Sequence, residues 1–72
     1  YGIYYYENND GFEGSWMDGS RTGYGVYYYE NGDIFDGFFR ENEFHGYGKF
    51  SYVDGRVDEG LWDTGELILR KE

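Results

Sequence analysis

Shifted by 23 places, the 72-residue chain falls onto itself without a gap. Tyr1, Tyr24 and Tyr47 come into line, as do Gly2, Gly25 and Gly48. Tyr4 aligns with Tyr27 and Phe50, and Tyr6 with Tyr29 and Tyr52. Further along, Gly14, Gly37 and Gly60 coincide, and Trp16 coincides with Phe39 and Trp62. Phe12 matches Phe35, whereas the third copy has Asp58. The copies run 1–22, 23–45 and 46–68, with a C-terminal end at 69–72. A fixed short period means that one supersecondary unit is stacked on itself, because a single unit cannot bury its apolar face alone.

The unit reads as two short strands. Proline is absent, apolar residues lack helical spacing, and Tyr, Phe, Val and Ile suit a pleated surface. In the middle copy the strands are expected at 25–29 and 33–39, around "ENG"; the other copies have "ENN" and "VDG" there. Turn length decides which residues share a face. A two-residue turn would pair Glu30 with Asp33 and put Tyr27 and Tyr29 on the opposite face from Phe35 and Phe39. A three-residue loop would pair Tyr29 with Asp33 and put Gly25, Tyr27, Tyr29, Phe35, Gly37 and Phe39 together. The second is preferred, because it gathers the recurring positions and leaves the drifting pairs (Val26/Lys49, Tyr28/Ser51, Phe38/Leu61) on the other side. It needs a left-handed residue at Gly32, Gly55 and Asn9, where glycine and asparagine are the residues that accept one. The expected fold is therefore all-β, an elongated single-layer antiparallel sheet of successive β-hairpins.

Six glycines are assigned a structural role: Gly2, Gly14, Gly25, Gly37, Gly48 and Gly60. Facing pairs such as Gly25 and Gly37 would leave a slot without side chains, over which a ring from the next hairpin can lie. Aromatics make up 25% of the chain, so rings are expected to supply most of the core. Acids supply solubility: fifteen acidic residues stand against six basic ones, a net charge of −9. That field repels nucleic acid and acidic lipid headgroups. With no cysteine, neither disulfides nor thiolate metal sites exist. No apolar run approaches the roughly 18 residues that span a bilayer. The chain starts at Tyr1 without methionine and reads as a fragment of a larger protein. Neighbouring repeats or a partner are expected to cover the edge strands of so short an array.

The pattern Gly-x-Gly, short strand, Asp-Gly or Asn-Gly, then aromatic-acid-Gly-x-Trp, at 23-residue spacing, resembles the MORN repeat. The matching stretches are "FEGSWMDGSRTGYGVYYYENGDI" (12–34), "FDGFFRENEFHGYGKFSYVDGRV" (35–57) and "DEGLWDTGEL" (58–67). Asp58 departs from the usual aromatic, Phe39 from the usual tryptophan, and "ENEF" from an Asn-Gly-type turn. The final copy does not reach a second Gly-x-Gly. The resemblance implies a curved sheet with an aromatic-lined groove, and a scaffold role in cytoplasmic, ciliary or cytoskeletal assemblies, at membrane junctions or beside catalytic domains. "YYYENND" and "YYYENGD" look most like hairpins of radial spoke head MORN proteins of motile cilia.

The expected function is a non-catalytic scaffold or protein–protein interaction module. Its groove comprises Tyr4, Tyr6, Phe12, Trp16, Tyr27, Tyr29, Phe35, Phe39, Phe50, Tyr52 and Trp62, and a partner's helix or strand would lie along it. The competing reading is that these rings only pack on one another. A rival class is choline or carbohydrate recognition, since aromatic cages hold quaternary ammonium ions; those repeats, however, are nearer 20 residues and led by Gly-Trp. Acidic-lipid binding beside a catalytic domain is a further alternative, but basic residues are few and scattered. No catalytic residue is assigned. His45 reads as a turn residue, since Thr22 and Ile68 hold the matching positions. Glu13, Asp36 and Glu59 recur beside the glycines and read as structural. Neither metal nor cofactor is expected, because no acidic run has the calcium-loop spacing. Nucleic acid and membrane are not expected partners, and the expected location is the cytoplasm, in a cilium or the cytoskeleton.

Overall fold

Two kinds of turn alternate along the chain and fix where every strand begins and ends. In the computed structural model, which describes residues 2–71, the first kind closes each hairpin tip. The backbone N–H of Tyr6, Tyr29 and Tyr52 donates to the carbonyl of Asp10, Asp33 and Arg56, at 2.9, 2.9 and 2.8 Å. Asn9, Gly32 and Gly55 donate back across the turn, each at 3.0 Å, with φ of 71°, 102° and 97°. This is the three-residue loop with a left-handed third residue. The residue before the left-handed one supplies a side-chain brace: Oδ1 of Asn8, Asn31 and Asp54 accepts from the N–H of Asp10, Asp33 and Arg56.

The second kind joins one hairpin to the next in two residues: Asp18-Gly19, Glu41-Asn42 and Thr64-Gly65. Both residues of each pair have positive φ, the type I′ geometry whose twist matches that of the flanking strands. The strand expected at 25–29 accordingly starts five residues earlier, at Ser20. A turn this tight leaves no linker, so the segment between copies is itself strand. His45 lies in this added stretch and is a strand residue, not a turn residue.

The strands are β1 (Gly2–Tyr5), β2 (Gly11–Met17), β3 (Ser20–Tyr28), β4 (Ile34–Arg40), β5 (Glu43–Ser51), β6 (Val57–Asp63) and β7 (Glu66–Arg70). They form one open sheet in chain order, every neighbour antiparallel. The molecule measures 33 × 24 × 16 Å. Tyr1 of the first alignment and Glu72 of the 69–72 end lie outside the described residues.

The register places Gly25 opposite Gly37 and Tyr27 opposite Phe35. Extended across the sheet, Gly2, Gly14, Gly25, Gly37, Gly48 and Gly60 form one continuous lane. The lane is a slot, and its close approach requires glycine. A Cβ on Gly14 would stand 2.6 Å from the Gly25 Cα, and one on Gly37 2.5 Å from the Gly48 Cα. The ring that fills the slot differs in origin from the one expected. It lies over the pairs between hairpins, Gly14/Gly25 and Gly37/Gly48, and not over Gly25/Gly37; it comes from the strand of the first glycine of such a pair, two residues earlier, and not from the next hairpin. Phe12 lies over Gly14 and Gly25, and Phe35 over Gly37 and Gly48. Residues two apart on a strand share a face, so the ring folds down along its own strand and crosses to the neighbour. Phe12 and Phe35 are the two most deeply buried large side chains, and Phe39 and Trp62 complete the buried set.

The leading glycine of each Gly-x-Gly does a different job. Gly23 and Gly46 have φ of 95° and 91° and sit in bulges, where β3 and β5 carry extra residues against β2 and β4. The bulges realign the pairing so that Trp16 faces Arg21 and Phe39 faces Phe44. Successive hairpins are also tied at both ends. Asp10 and Asp33 accept from the N–H of Glu30 and Val53, each at 2.9 Å, and Asn42 donates its N–H to the Arg21 carbonyl at 3.0 Å.

Candidate partner-binding face

Alternation along the strands puts all eleven sequence-selected aromatic residues on one face, and ring contacts connect them end to end. Tyr4 touches Tyr6 and Trp16; Tyr6 stacks on Tyr27; Tyr27 meets Tyr29; Tyr29 meets Phe50; Phe50 meets Tyr52 and Trp62. They divide by depth. Phe12, Phe35, Phe39 and Trp62 are buried and form the floor. Tyr6, Trp16, Tyr27, Tyr29 and Phe50 are partly buried against that floor, Tyr52 is half-buried, and Tyr4 is 52% exposed. No second layer covers this face among the described residues.

Two clusters repeat with the same geometry. Phe35 is met edge-on by Phe39 at 5.4 Å and by Trp62 at 5.4 Å, and Phe44 stacks on it at 3.7 Å. Phe12 is met edge-on by Trp16 at 5.3 Å and by Phe39 at 5.0 Å. Over it, in the place that Phe44 takes in the next copy, lies Arg21. The guanidinium carbon is 5.1–5.9 Å from the ring centroids of Tyr6, Phe12, Tyr27 and Phe39. Nη1 donates to the Tyr6 hydroxyl and Nη2 to the Asn42 carbonyl, both at 2.9 Å, while Nε is buried without a partner. A cation held over rings and away from water gains about 0.5–2 kcal/mol. Neither lid is among the eleven residues that the repeat singles out. Arg21, Phe44 and Leu67 stand 23 residues apart, but their chemistry runs from cation to ring to aliphatic, so the repeat does not single the position out.

Burial and acid shape the tyrosines. Tyr29 is pushed up to about 12, first by burial and then by Tyr27 and Asp10. Tyr27 is raised by burial and by its hydrogen bond to Asp10. Asp58, at the position of Phe12 and Phe35, is held low by Arg70 and by the Tyr52 hydroxyl. Of the recurring acids beside the glycine lane, Asp36 and Glu59 accept from the Tyr24 and Tyr47 hydroxyls. His45 Nδ1 lies 3.3 Å from Asp63 Oδ1. Among the described residues there is no group of three or more His, Asp or Glu placed to hold a metal ion, and no helix long and apolar enough to cross a membrane.

The opposite face is more apolar than the sequence led us to expect. Tyr24, Tyr28, Phe38, Tyr47 and Leu61 project there, each about half exposed. Tyr24 and Phe38 meet edge-on at 5.7 Å.

A family profile for the MORN repeat matches residues 12–34 and 35–55, more than half of the chain. The chain belongs to the MORN-repeat family. The matched units fall in the phase at which each slot-filling phenylalanine, Phe12 or Phe35, opens a unit. The profile stops before Asp58, where that phenylalanine is lost. MORN repeats are generally interaction or membrane-association modules, and the family is typically a non-catalytic one. No curated protein matches the chain at a significant level.

Proposed function

We propose that this MORN chain is a non-catalytic scaffold that docks a protein partner on its aromatic face, within a larger cytoplasmic assembly. The observation that carries the reading is the partly exposed upper tier of rings. Tyr4, Tyr6, Trp16, Tyr27, Tyr29 and Phe50 run across successive hairpins over a buried floor. Tyrosine and tryptophan on a rigid support supply contact area at little cost in side-chain freedom. A helix or an extended strand of the partner fits along such a line, with its apolar side against the rings. The proposed setting is a ciliary axoneme or another cytoskeletal assembly, a reading supported by the tyrosine-rich "YYYEN" hairpins.

Affinity capture from cell extract, with mass spectrometry, tests this. The Tyr4→Ser/Tyr29→Ser variant alters only the upper tier and is compared after circular dichroism confirms its fold. A partner recovered by the natural chain and lost by the folded variant is the expected result. Partners that bind both forms equally would assign recognition to the other face.

A further inference from the structure

Tyr29 and Tyr52 stand 23 residues apart at the same point of successive hairpin tips, and they differ in what lies over them. Above Tyr52 sits a guanidinium: the Arg56 Cζ is 4.7 Å from the ring centroid, and Nε donates to Asp54 Oδ2 at 2.9 Å. The position matching Arg56 beside Tyr29 is Asp33, and the position matching Asp54 is Asn31. Among the described residues no cation is seated over the Tyr29 ring.

The space beside Tyr29 is an open cleft of 380 Å³ between the first two tips, lined by Asn8, Asp10, Tyr29, Glu30 and Asn31. Two of these are carboxylates and none is a cation. Asp10 is engaged by the Glu30 N–H, the Tyr27 hydroxyl and Asn8, so it supplies charge to the cleft and not a free ligand atom. Glu30 is exposed and takes a hydrogen bond from Asn9 Nδ2. The Tyr29 hydroxyl is raised chiefly by burial, then by Tyr27 and Asp10, with Arg21 opposing and Asp33 adding least. Elsewhere on this face Arg21 already lies among four rings, so guanidinium is seated on it at two places. The net charge of −9 draws cations toward the whole surface.

We propose that this cleft takes an arginine side chain from a basic peptide segment of the protein partner, its guanidinium stacked on Tyr29 as Arg56 stacks on Tyr52 and its charge met by Glu30. The proposal rests on the docking reading above and names the partner's chemistry. Arginine suits the site better than lysine, because a planar guanidinium lies flat on a ring while it also meets a carboxylate.

The test is fluorescence anisotropy with three labelled 12-residue peptides, in which leucine alternates with arginine, citrulline or glutamate. Citrulline keeps the planar head and removes its charge. At near-physiological salt the arginine peptide is expected to bind about tenfold more tightly than the citrulline peptide. Tyr29→Leu and Glu30→Gln should each weaken it several-fold, while Glu66→Gln, the same charge change on β7, leaves it unaltered. In the natural chain the arginine δ-methylene protons should shift upfield on binding, as ring stacking requires, a readout that does not depend on any variant folding. Equal binding of the arginine and citrulline peptides, both weakened by Tyr29→Leu, would overturn the cation assignment and leave the docking face intact. Arginine-peptide binding that ignores Tyr29→Leu and responds alike to Glu30→Gln and Glu66→Gln is general charge attraction, and it overturns the proposal. So does the absence of an upfield shift, or of binding altogether; capture of the natural partner then judges the docking face separately.

Discussion

Phe12 and Phe35 fill equivalent slots in successive hairpins, yet one lies under an arginine and the other under a phenylalanine. The rings that meet them edge-on are conserved in kind: Trp16 and Phe39 around the first, Phe39 and Trp62 around the second. Only the lid changes, from Arg21 to Phe44. The slot and the edge-on rings are therefore the invariant part of the unit, and the lid is free to carry polarity. The third copy shows what happens when the slot itself goes. Its ring position holds Asp58, and Arg70 stands opposite Gly60 in the lane, one place before the Lys71 that the 23-residue shift would put there. The ring and the second glycine of the pair are lost together, while the first, Gly60, stays in the lane opposite Gly48. In their place Arg70 meets Asp58, and Lys71 meets Glu59 at 3.6 Å.

The largest effect should come from emptying a slot. Phe35→Ala removes a ring buried on every side and should cost about 3–5 kcal/mol, enough to unfold a thin sheet of this size. Phe12→Ala should cost less, because Phe12 has a guanidinium at 5.8 Å as its lid where Phe35 has a ring stacked on it at 3.7 Å. Urea midpoints of the two variants rank them, and equal losses would mean that the lid is irrelevant to the slot. Closing the slot from the other side is next. In Gly48→Ala the new methyl would stand 2.8 Å from Phe35 Cε1, with the ring unable to withdraw, at about 1–3 kcal/mol.

Exchanging lids gives the smaller, sharper contrast. Arg21→Phe should be neutral within about 1 kcal/mol, since it trades two hydrogen bonds for a stacked ring and removes the orphan Nε. Phe44→Ala should cost about 2 kcal/mol. Thermal melts distinguish these, and a destabilisation by Arg21→Phe as large as that of Phe44→Ala would show that the guanidinium is specifically required.

The smallest effect is one of pH. Burial pushes the Tyr29 hydroxyl up to about 12 from its ordinary 10.0. Its neutral form is thus favoured by folding, and that contribution is whole below pH 10 and is lost as pH rises toward 12. Melting temperature should fall across this window, and fall less steeply in Tyr29→Phe. A fall of the same steepness in both would place the alkaline sensitivity elsewhere.

Much of this was legible in the chain because its period is strict. Repetition at Tyr27, Phe35, Gly25 and Gly37 was enough to choose the three-residue loop, and that choice set the register and the face. What stayed hidden does not repeat in kind. Asp18-Gly19, Glu41-Asn42 and Thr64-Gly65 share a backbone geometry but little side-chain chemistry, so the type I′ turns and the longer strands they permit went unread. Arg21, Phe44 and Leu67 share a place and not a polarity. The direction in which Phe12 leans, along its own strand, is a rotamer choice that pairing alone does not dictate. The half-exposed apolar residues of the reverse face, Phe38 and Leu61 among them, looked like solvent-facing drift for the same reason.

Tyr28 and Tyr29 are neighbours in sequence and project from opposite faces of the sheet, which makes them the most direct test of where recognition lies. The measurement is the affinity of the captured partner for Tyr28→Ser and for Tyr29→Ser, each checked for a natural circular dichroism spectrum. The docking account predicts at least a tenfold loss for Tyr29→Ser and none for Tyr28→Ser. The reverse pattern would move the interface to the Tyr24–Phe38 side, and an unchanged affinity in both would leave the aromatic face as core alone.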